Sequence, residues 1–325
     1  MSKHEDLLHM LLHADGEFVS GEDISRHLAI SRTAVWKHVN KLRDMGYEFE
    51  AVSRKGYRLV TKPEKIDAAA LQLALKTTVF GRKAVMLPST LSTQGDVQKL
   101  AEEGVDEGAV VFAEEQTGGR GRFGRKWFSP SGKGIWMSVL LRPELAIQHT
   151  PQLTLLTGVA VCRAIRACTG AQAGIKWPND LLIDGRKMCG ILLESTVEDH
   201  EVRYCVAGIG VDANFDKHDY PEDLQHIATS LKIETGQPVD RTALAAAILT
   251  ELEHLYFLYQ KEGFSVIASL WEASSVSLHR KVTITNPHGV IEGTTVGLDP
   301  SGALVVEKQD GQRELIVSGE VSWKS

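Results

Sequence analysis

The stretch QTGGRGRFGRKWF, residues 116–128, combines four glycines with four cationic side chains. It follows an apolar run at 109–113 that is typical of a β-strand. Glycine lets backbone N–H groups approach a ligand closely, and arginine side chains suit carboxylates and phosphates. A buried core does not need this combination of residue types. The stretch therefore predicts a mobile loop that closes over an anionic ligand.

Two nucleotide-binding patterns and a surface hairpin are the other interpretations of this loop. Gly119, Gly121 and Gly124 fit the dinucleotide-binding pattern G-x-G-x-x-G, but that pattern must open a helix, and Pro130 follows here instead. A Walker A loop needs Gly-Lys and then Ser or Thr, which the stretch lacks. A solvated basic hairpin stays open as an alternative, because runs of charge usually lie on the surface.

Two further motifs accompany the loop. They are KWPND at 176–180, and Arg186-Lys187 followed by Gly190-Ile-Leu192. With these motifs the chain resembles biotin protein ligases over essentially its whole length. It is similar in particular to their bifunctional branch, which carries an N-terminal DNA-binding domain and represses biotin operons.

The length and composition fit a soluble protein of more than one domain. At 325 residues the chain is too long for one ordinary domain, and its net charge of −6 leaves room only for a local basic patch. No secretion signal or apolar span of about 18 residues is evident, so we expect a cytoplasmic protein without membrane contact. The four cysteines lack C-x-x-C spacing and predict small buried side chains in a reducing compartment.

The N-terminal pattern predicts a winged helix-turn-helix. An apolar repeat over 7–12 indicates one helix, Ser20 is placed to cap a second, and Ser31 starts a third. Alternating residues on both sides of Arg54-Lys55-Gly56 predict a hairpin.

Charge favours DNA binding by this region. Residues 1–30 hold two Lys or Arg against six Asp or Glu, whereas residues 31–62 hold eight against three. The positive half therefore includes the third helix and the wing, the elements that contact DNA in this motif. Use of the motif for protein contact stays open. The candidate DNA-binding residues are Arg32, Thr33, Lys37, His38, Lys41, Arg54 and Lys55.

The remaining chain predicts two further domains. Strand-like runs at 84–87, 109–113, 134–141, 190–195 and 202–211 alternate with helices. One helix is expected to be capped at Thr150, with Pro151 first, and another to run from Asp240 to Gly263. This pattern indicates an α/β sheet with helices on one face, and the short strands after Val276 indicate a small barrel.

The predicted fold is thus α/β and multi-domain. It comprises an N-terminal winged helix-turn-helix at 1–63, a central mixed α/β ligase domain at 64–275 and a C-terminal domain at 276–325. The resemblance implies that the C-terminal domain is an SH3-like β-barrel.

The chemistry implied by the resemblance explains the loop. A carboxylate is a poor electrophile and must be activated, which ATP does by adenylation. Cations of the loop and Mg²⁺ would offset the repulsion between carboxylate and triphosphate. Because an acyl-adenylate hydrolyses readily, the loop would also exclude water.

The KWPND motif and Lys187 complete the expected site. Pro178 stiffens the turn, and Asp180 is expected to hold Mg²⁺. Without the other motifs, WPND would indicate an ordinary turn, and Lys187 would indicate a solvent-exposed lysine at the start of a strand. The resemblance implies that Lys187 contacts both the biotin carboxylate and the α-phosphate of ATP.

Residue-by-residue matching to the family implies three groups. The catalytic group is Lys187, Arg122 and Arg120. The biotin-binding group is Ser92, Thr93, Gln94, Gln116, Gly119, Arg120, Lys187, Gly190 and Leu192. The ATP- and adenylate-binding group is Arg122, Arg125, Lys126, Trp127, Asn179 and Asn214. Asp212 departs from the family, which usually has asparagine there.

We therefore expect a ligase that forms biotinyl-5′-AMP and transfers biotin to a lysine of the biotin carboxyl carrier domain of acetyl-CoA or pyruvate carboxylase. We also expect it to repress biotin genes at operator DNA, with biotinyl-5′-AMP as corepressor, as a homodimer when ligand-bound. Two alternatives are a non-catalytic transcription factor that senses a small acid, and a lipoate or octanoyl ligase.

Overall fold

The computed structural model of the chain describes residues 3–14, 16–199, 201–287 and 289–323. The chain divides into two units, Met1–Ala74 and Leu75–Ser325. The finer division at residues 63 and 275 stays a prediction. Across the described ranges, no helix reaches the length and apolarity that a bilayer crossing requires.

The first unit is a winged helix-turn-helix, as predicted. Its elements are α1 (Lys3–His13), α2 (Gly21–Leu28), α3 (Arg32–Asp44), β1 (Glu48–Val52), β2 (Gly56–Thr61) and α4 (Ala68–Ala74). The Ser20 hydroxyl accepts a hydrogen bond from the backbone N–H of Asp23, and Ser31 accepts one from Ala34. These caps satisfy N–H groups that a helix start leaves unpaired, and so fix where α2 and α3 begin.

The wing is an antiparallel hairpin of β1 and β2. At Gly56 (φ +106°) a β-carbon would lie 2.0 Å from the carbonyl oxygen of Val19. Only glycine allows both this backbone angle and this approach. The core beneath the wing contains Val35, Val39 and Leu42 from α3, which is the predicted buried stripe.

The second unit contains a mixed seven-stranded sheet. Its elements up to the terminal strands are β3 (Ala84–Leu87), α5 (Thr93–Glu102), β4 (Val110–Ala113), β5 (Gly134–Leu141), α6 (Thr150–Thr169), β6 (Gly174–Lys176), β7 (Asp180–Ile183), β8 (Arg186–Glu198), β9 (Glu201–Asp212), α7 (Leu231–Thr235), α8 (Arg241–Glu262) and α9 (Phe264–Ser274). The strand order is β3-β4-β5-β9-β8-β7-β6. β3 and β4 are parallel and the other neighbours antiparallel, which fits the predicted mixed α/β class.

Helices cover both faces of this sheet. α6 packs against one face, where its Gly158 approaches Ile175 and Ile191. α5 packs on the other face, where Val97 clusters with Val206. The expectation of helices on one face is therefore wrong for α5, because residues 97 and 101 add an apolar stripe that the sheet can bury.

The predicted helix limits agree with the structure except at one cap. Asp240 caps α8 by accepting from the N–H of Ala243, and Gly263 ends it. α6 ends at Gly170, but its N-cap position is His149, with Thr150 as the first helical residue. The Thr150 hydroxyl instead donates to the carbonyl of Ile147.

The terminal strands form an antiparallel five-stranded sheet of order β13-β12-β11-β10-β14. They are β10 (Lys281–Asn286), β11 (Gly289–Leu298), β12 (Leu304–Glu307), β13 (Arg313–Ile316) and β14 (Glu320–Ser322). The short antiparallel strands expected after Val276 are confirmed, while their closure into a barrel and their separation as a domain stay predictions.

Candidate functional site

A floor of glycines runs across the centre of the sheet. Gly190 on β8 pairs directly with Gly210 on β9, and Leu192 pairs with Gly208. A β-carbon at Gly210 would lie 2.4 Å from Nε1 of Trp127, and one at Gly208 would lie 2.9 Å from the Gln94 side chain. These glycines therefore make room above the sheet that any larger residue would fill.

A cavity of about 590 Å³ opens above this floor. Its size suits a small-molecule ligand. Most of the predicted site residues line it: Ser92, Thr93, Gln94, Gln116, Arg120, Arg122, Arg125, Lys126, Trp127, Asn179, Asp180, Lys187, Gly190 and Leu192. The structure thus gathers residues that are up to a hundred positions apart in sequence.

Hydroxyl and amide groups form one part of the wall. The N–H of Thr93 donates to Oε1 of Gln116 at 3.0 Å, and the hydroxyls of Thr93 and Ser138 lie 2.8 Å apart. Nε2 of Gln94 donates to the Leu192 carbonyl and to Glu194. Among the described residues, Oε1 of Gln94 is buried without a hydrogen-bond partner. Buried polar atoms are normally paired, so this oxygen is suited to an N–H donor of a ligand.

The glycine-rich loop folds over the cavity as a hairpin. Arg120 pairs with Lys126 across the loop, and the N–H of Trp127 donates to the carbonyl of Gly119. Gly119 itself does not line the cavity. A β-carbon there would lie 2.5 Å from the carbonyl oxygen of Trp127, so its role in the structure is to allow this close pairing.

Each of the three arginines of the loop reaches a different set of acceptors. Arg120 forms an ion pair with Glu194 at 3.3 Å. Arg122 donates to Oδ1 of Asn179 at 3.0 Å, and burial lowers the pKa of its guanidinium. Arg125 pairs with Glu320, and this hydrogen-bonded contact holds the pKa of the glutamate below its usual value. The cations are therefore held around the cavity by acceptors that a ligand could replace.

Lys187 is the second residue of β8 and lines the cavity. Its ammonium lies 2.7 Å from the Asp180 carboxylate and 5.1 Å from the centre of the Trp127 ring. The contact with the indole is a cation–π interaction. Lys187 therefore connects KWPND with the glycine-rich loop, the two motifs that the sequence singled out.

Asp180 fits a role as a Mg²⁺ ligand. Magnesium in nucleotide sites uses one or two protein carboxylates and takes its other ligands from phosphates and water. Asp180 supplies one carboxylate at the cavity wall, beside Lys187. The acidic cluster Asp216, His218 and Asp219 lies on a separate segment, and its two aspartates pair with Lys232 and Lys133.

Asn214 lies outside the cavity lining. Its amide donates to the carbonyl of Val239 and accepts from the N–H of the same residue. Both ends of the side chain are therefore used to join two loops, which is a structural role.

Several residues in the cavity wall were missed by sequence reasoning. Lys176 and Trp323 line the cavity. The cationic groups of Lys176 and of Arg280, which lies outside the lining, are 5.3 Å and 5.2 Å from the centre of the Trp323 ring. Burial lowers the pKa of Lys176. Tyr220 also lines the cavity, and so does Asp212, which was named from the sequence without an assigned role. Lys176 could have been predicted as a site residue because it belongs to the KWPND motif. No sequence pattern around Trp323 indicated that this residue lies at the cavity.

The candidate DNA-binding residues lie on α3 and the wing. Thr33, Lys37 and Lys41 are exposed at four-residue spacing along α3, so they share one strip of the helix. Lys41 and His38 lie beside His4 of α1. Arg32 is also exposed and pairs with Glu22 at 3.2 Å. Arg54 and Lys55 are exposed at the tip of the wing.

The chain matches three family models. Residues 86–212 match the biotin/lipoate A/B protein ligase family, residues 3–58 match an HTH domain and residues 278–323 match the biotin protein ligase C-terminal domain.

Relatives match most of the chain. The bifunctional ligase/repressor BirA of Bacillus spizizenii is 43% identical over 311 residues, covering 96% of each chain. The biotin–[acetyl-CoA-carboxylase] ligase of Paracoccus denitrificans is 33% identical, over 73% of this chain and 98% of its own.

The solved structure of a ligase is also similar in fold to most of this chain. The biotin protein ligase of Aquifex aeolicus, in complex with biotin and ATP, superposes with a TM-score of 0.64 at 30% identity. It covers 74% of this chain and 98% of its own. The shared motifs, the cavity and the matched length together show that the chain belongs to the biotin protein ligase family, in its bifunctional ligase/repressor branch.

Proposed function

We propose that the protein joins biotin to ATP, forming biotinyl-5′-AMP and pyrophosphate, and then transfers biotin to a lysine of a carrier domain. A carboxylate oxygen of biotin attacks the α-phosphorus, and the bond to pyrophosphate breaks. The carrier amine then attacks the acyl carbon, loses a proton and displaces AMP. The observation that carries this proposal is the position of Lys187 between Asp180 and Trp127, above the glycine floor.

Each part of the cavity has a role in this proposal. The wall at 92–94, with Gln116, binds the ureido ring of biotin. Lys187 and Arg120 hold the carboxylate, while Arg122, Arg125 and Lys126 neutralise phosphates and Asn179 orients Arg122. Asp180 would hold Mg²⁺, which would reduce the charge of the triphosphate. Trp127 covers the ligand and excludes water.

Replacing Lys187 tests the catalytic proposal. Lys187→Ala should slow biotin-dependent exchange of pyrophosphate into ATP by about 10²–10³-fold, because it removes a charged contact to the transition state. Mass spectrometry of a purified carrier domain, incubated with ATP, Mg²⁺ and biotin, should show the same loss of product. Lys261→Ala is a matched control, because Lys261 is an exposed lysine that pairs with its neighbour Glu262. An unchanged rate for Lys187→Ala would contradict the assignment.

The polar wall favours biotin over a lipoyl or octanoyl acid. Oε1 of Gln94 is buried and unpaired at the cavity, and a urea offers N–H donors to it. A dithiolane or an alkyl chain offers none, and leaving a buried acceptor unpaired costs about 1–3 kcal/mol. Competition between biotin and lipoate in the exchange assay decides between them.

We propose further that α3 and the wing bind operator DNA, with biotinyl-5′-AMP as corepressor and a homodimer as the binding species. The exposed cations on these elements support DNA contact. Lys37→Ala should weaken binding to all sequences alike, and should reduce the slope of log K against log salt by about one. Lys261→Ala should leave both unchanged. A loss confined to one base position would instead indicate base recognition by Lys37.

A further inference from the structure

The carboxyl group of Asp212 is buried at the cavity. Asp212 follows Gly208 and Gly210 at two-residue spacing on β9, so its side chain shares their face of the sheet. The residue is 5% exposed and lines the cavity. One carboxyl oxygen, Oδ2, lies 3.0 Å from the hydroxyl of Tyr220. The other, Oδ1, is buried and has no hydrogen-bond partner in the part of the chain that the structure describes.

The Tyr220 hydroxyl has two oxygen neighbours but only one proton to donate. It lies 2.7 Å from the carbonyl oxygen of Thr229, which can only accept. When the hydroxyl proton points to Thr229, the nearer of the two, none is left for Asp212. An ionised Asp212 would then face the tyrosine oxygen with no proton between them. A protonated Asp212 donates to that oxygen and satisfies both groups.

Among the residues that the structure describes, no cation pairs with Asp212 alone. On β8, Lys187 is the cation near Asp212, and it already pairs with Asp180 at 2.7 Å. Cys189 on β8 is fully buried, and burial raises the pKa of its thiol. Near Tyr220, Asp219 pairs with Lys133 and Arg186 pairs with Glu234. On β5, the residue opposite Asp212 is Gly134, which has no side chain. Burial likewise raises the pKa of the Asp212 carboxyl well above its usual range.

We propose that Asp212 is held as a neutral carboxylic acid. Its O–H group donates a hydrogen bond to the Tyr220 oxygen, and its Oδ1 accepts one from an N–H or O–H group of the bound nucleotide. A neutral carboxyl has a donor and an acceptor, as an amide does, so it can accept a hydrogen bond at Oδ1 without placing a charge in the cavity. The triphosphate offers acceptors only, and the donors of ATP belong to its nucleoside. Tyr220, Leu224 and Ala228 line the cavity with Asp212 and give it aromatic and apolar surface. This inference rests on the proposed use of ATP.

A pH dependence follows from this state. Below the pKa of Asp212 the carboxyl is neutral and accepts the nucleoside. Above it, a carboxylate adds negative charge to a cavity that must hold anions. If only the neutral form binds, nucleotide affinity falls about tenfold for each pH unit above that pKa.

Infrared difference spectroscopy tests the protonation directly. We expect the full chain at neutral pH to show the carbonyl stretch of a protonated carboxylic acid, and Asp212→Asn to lack it. Tyr220→Phe should shift this band, because the acid proton loses its acceptor. Thermal melting checks that each variant is folded. A parent spectrum without a band that Asp212→Asn removes would overturn the proposal.

Calorimetric binding of a non-hydrolysable ATP analogue tests the consequence. The affinity of the parent should fall with rising pH, whereas that of Asp212→Asn should not change over the same range. Identical pH profiles would overturn the role of Asp212 in binding. If neither protein binds the analogue at any pH, the proposed use of ATP fails together with this role, while the infrared band still decides the protonation state.

Discussion

At Gly210 the nearest atom to an added β-carbon would be Nε1 of Trp127, at 2.4 Å. Gly210→Ala must therefore displace the indole that covers the glycine floor. We expect a change in tryptophan fluorescence and a loss of biotin affinity of about 1–3 kcal/mol, typical of overpacking.

Gly158→Ala provides the matched control for this change. Its β-carbon would lie 3.6 Å from Ile175, in ordinary contact. Because Gly158 lies within α6, alanine should stabilise the fold by about 0.5–1 kcal/mol. Biotin affinity equal to that of the parent in Gly210→Ala would contradict the role given to the glycine floor.

Among the elements, α8 fixes the turn before β3 through one side chain. Glu253 accepts hydrogen bonds from the backbone N–H groups of Thr78, Val79 and Phe80 at 2.7–2.8 Å. Glu253→Ala leaves these donors without their acceptor. We expect the free energy of unfolding to fall by about 2–5 kcal/mol in urea titrations. The exposed Glu262 on the same helix provides the control, and Glu262→Ala should change it by less than about 0.5 kcal/mol.

The stabilisation by Glu253 should be present at neutral pH and be lost in acid. Burial raises the pKa of Glu253, but the backbone hydrogen bonds outweigh it, and the net pKa is lowered. The folded state then releases the proton more readily than the unfolded state, so the stabilisation is present above the unfolded pKa. It is lost as pH falls through the folded value. The difference between parent and Glu253→Ala should therefore shrink in acid, and a constant difference would contradict this account.

At the level of the full chain, the ligase reaction should not require the first unit. The Paracoccus ligase matches this chain with 98% of its own length but covers only 73% of it. We expect a protein lacking residues 1–74 to keep biotin-dependent pyrophosphate exchange and to lose operator binding in gel-shift assays. Loss of both activities would show that the units do not work independently.

The fold was predictable where local chemistry decides it. The limits of β5 match the predicted run 134–141, because a central strand buried on both faces is continuously apolar. Ser20, Ser31 and Asp240 cap helices where expected. α9 was missed because it begins directly after the glycine that ends α8. β6 is only three residues long and left no clear pattern.

The site was predictable to the extent that its residues form motifs. The sequence predicted Lys187 and the loop at 116–128, and Lys187 and most of the loop line the cavity. Trp323 was missed because its nearness to Lys176 arises only from the tertiary fold. Asn214 was assigned to the adenylate by motif, but β9 ends at Asp212 and the chain then turns towards Val239.

The contacts of the terminal sheet with the loop limit how the protein can be recombined. Ser318 and Glu320 hold Arg122 and Arg125, and Trp323 adjoins Lys176. A chimaera that takes residues 276–325 from one species and the preceding part from another would exchange half of these partners. Such hybrids should work only when both parents have compatible residues at these six positions. The catalytic region and its C-terminal neighbour are therefore best exchanged together.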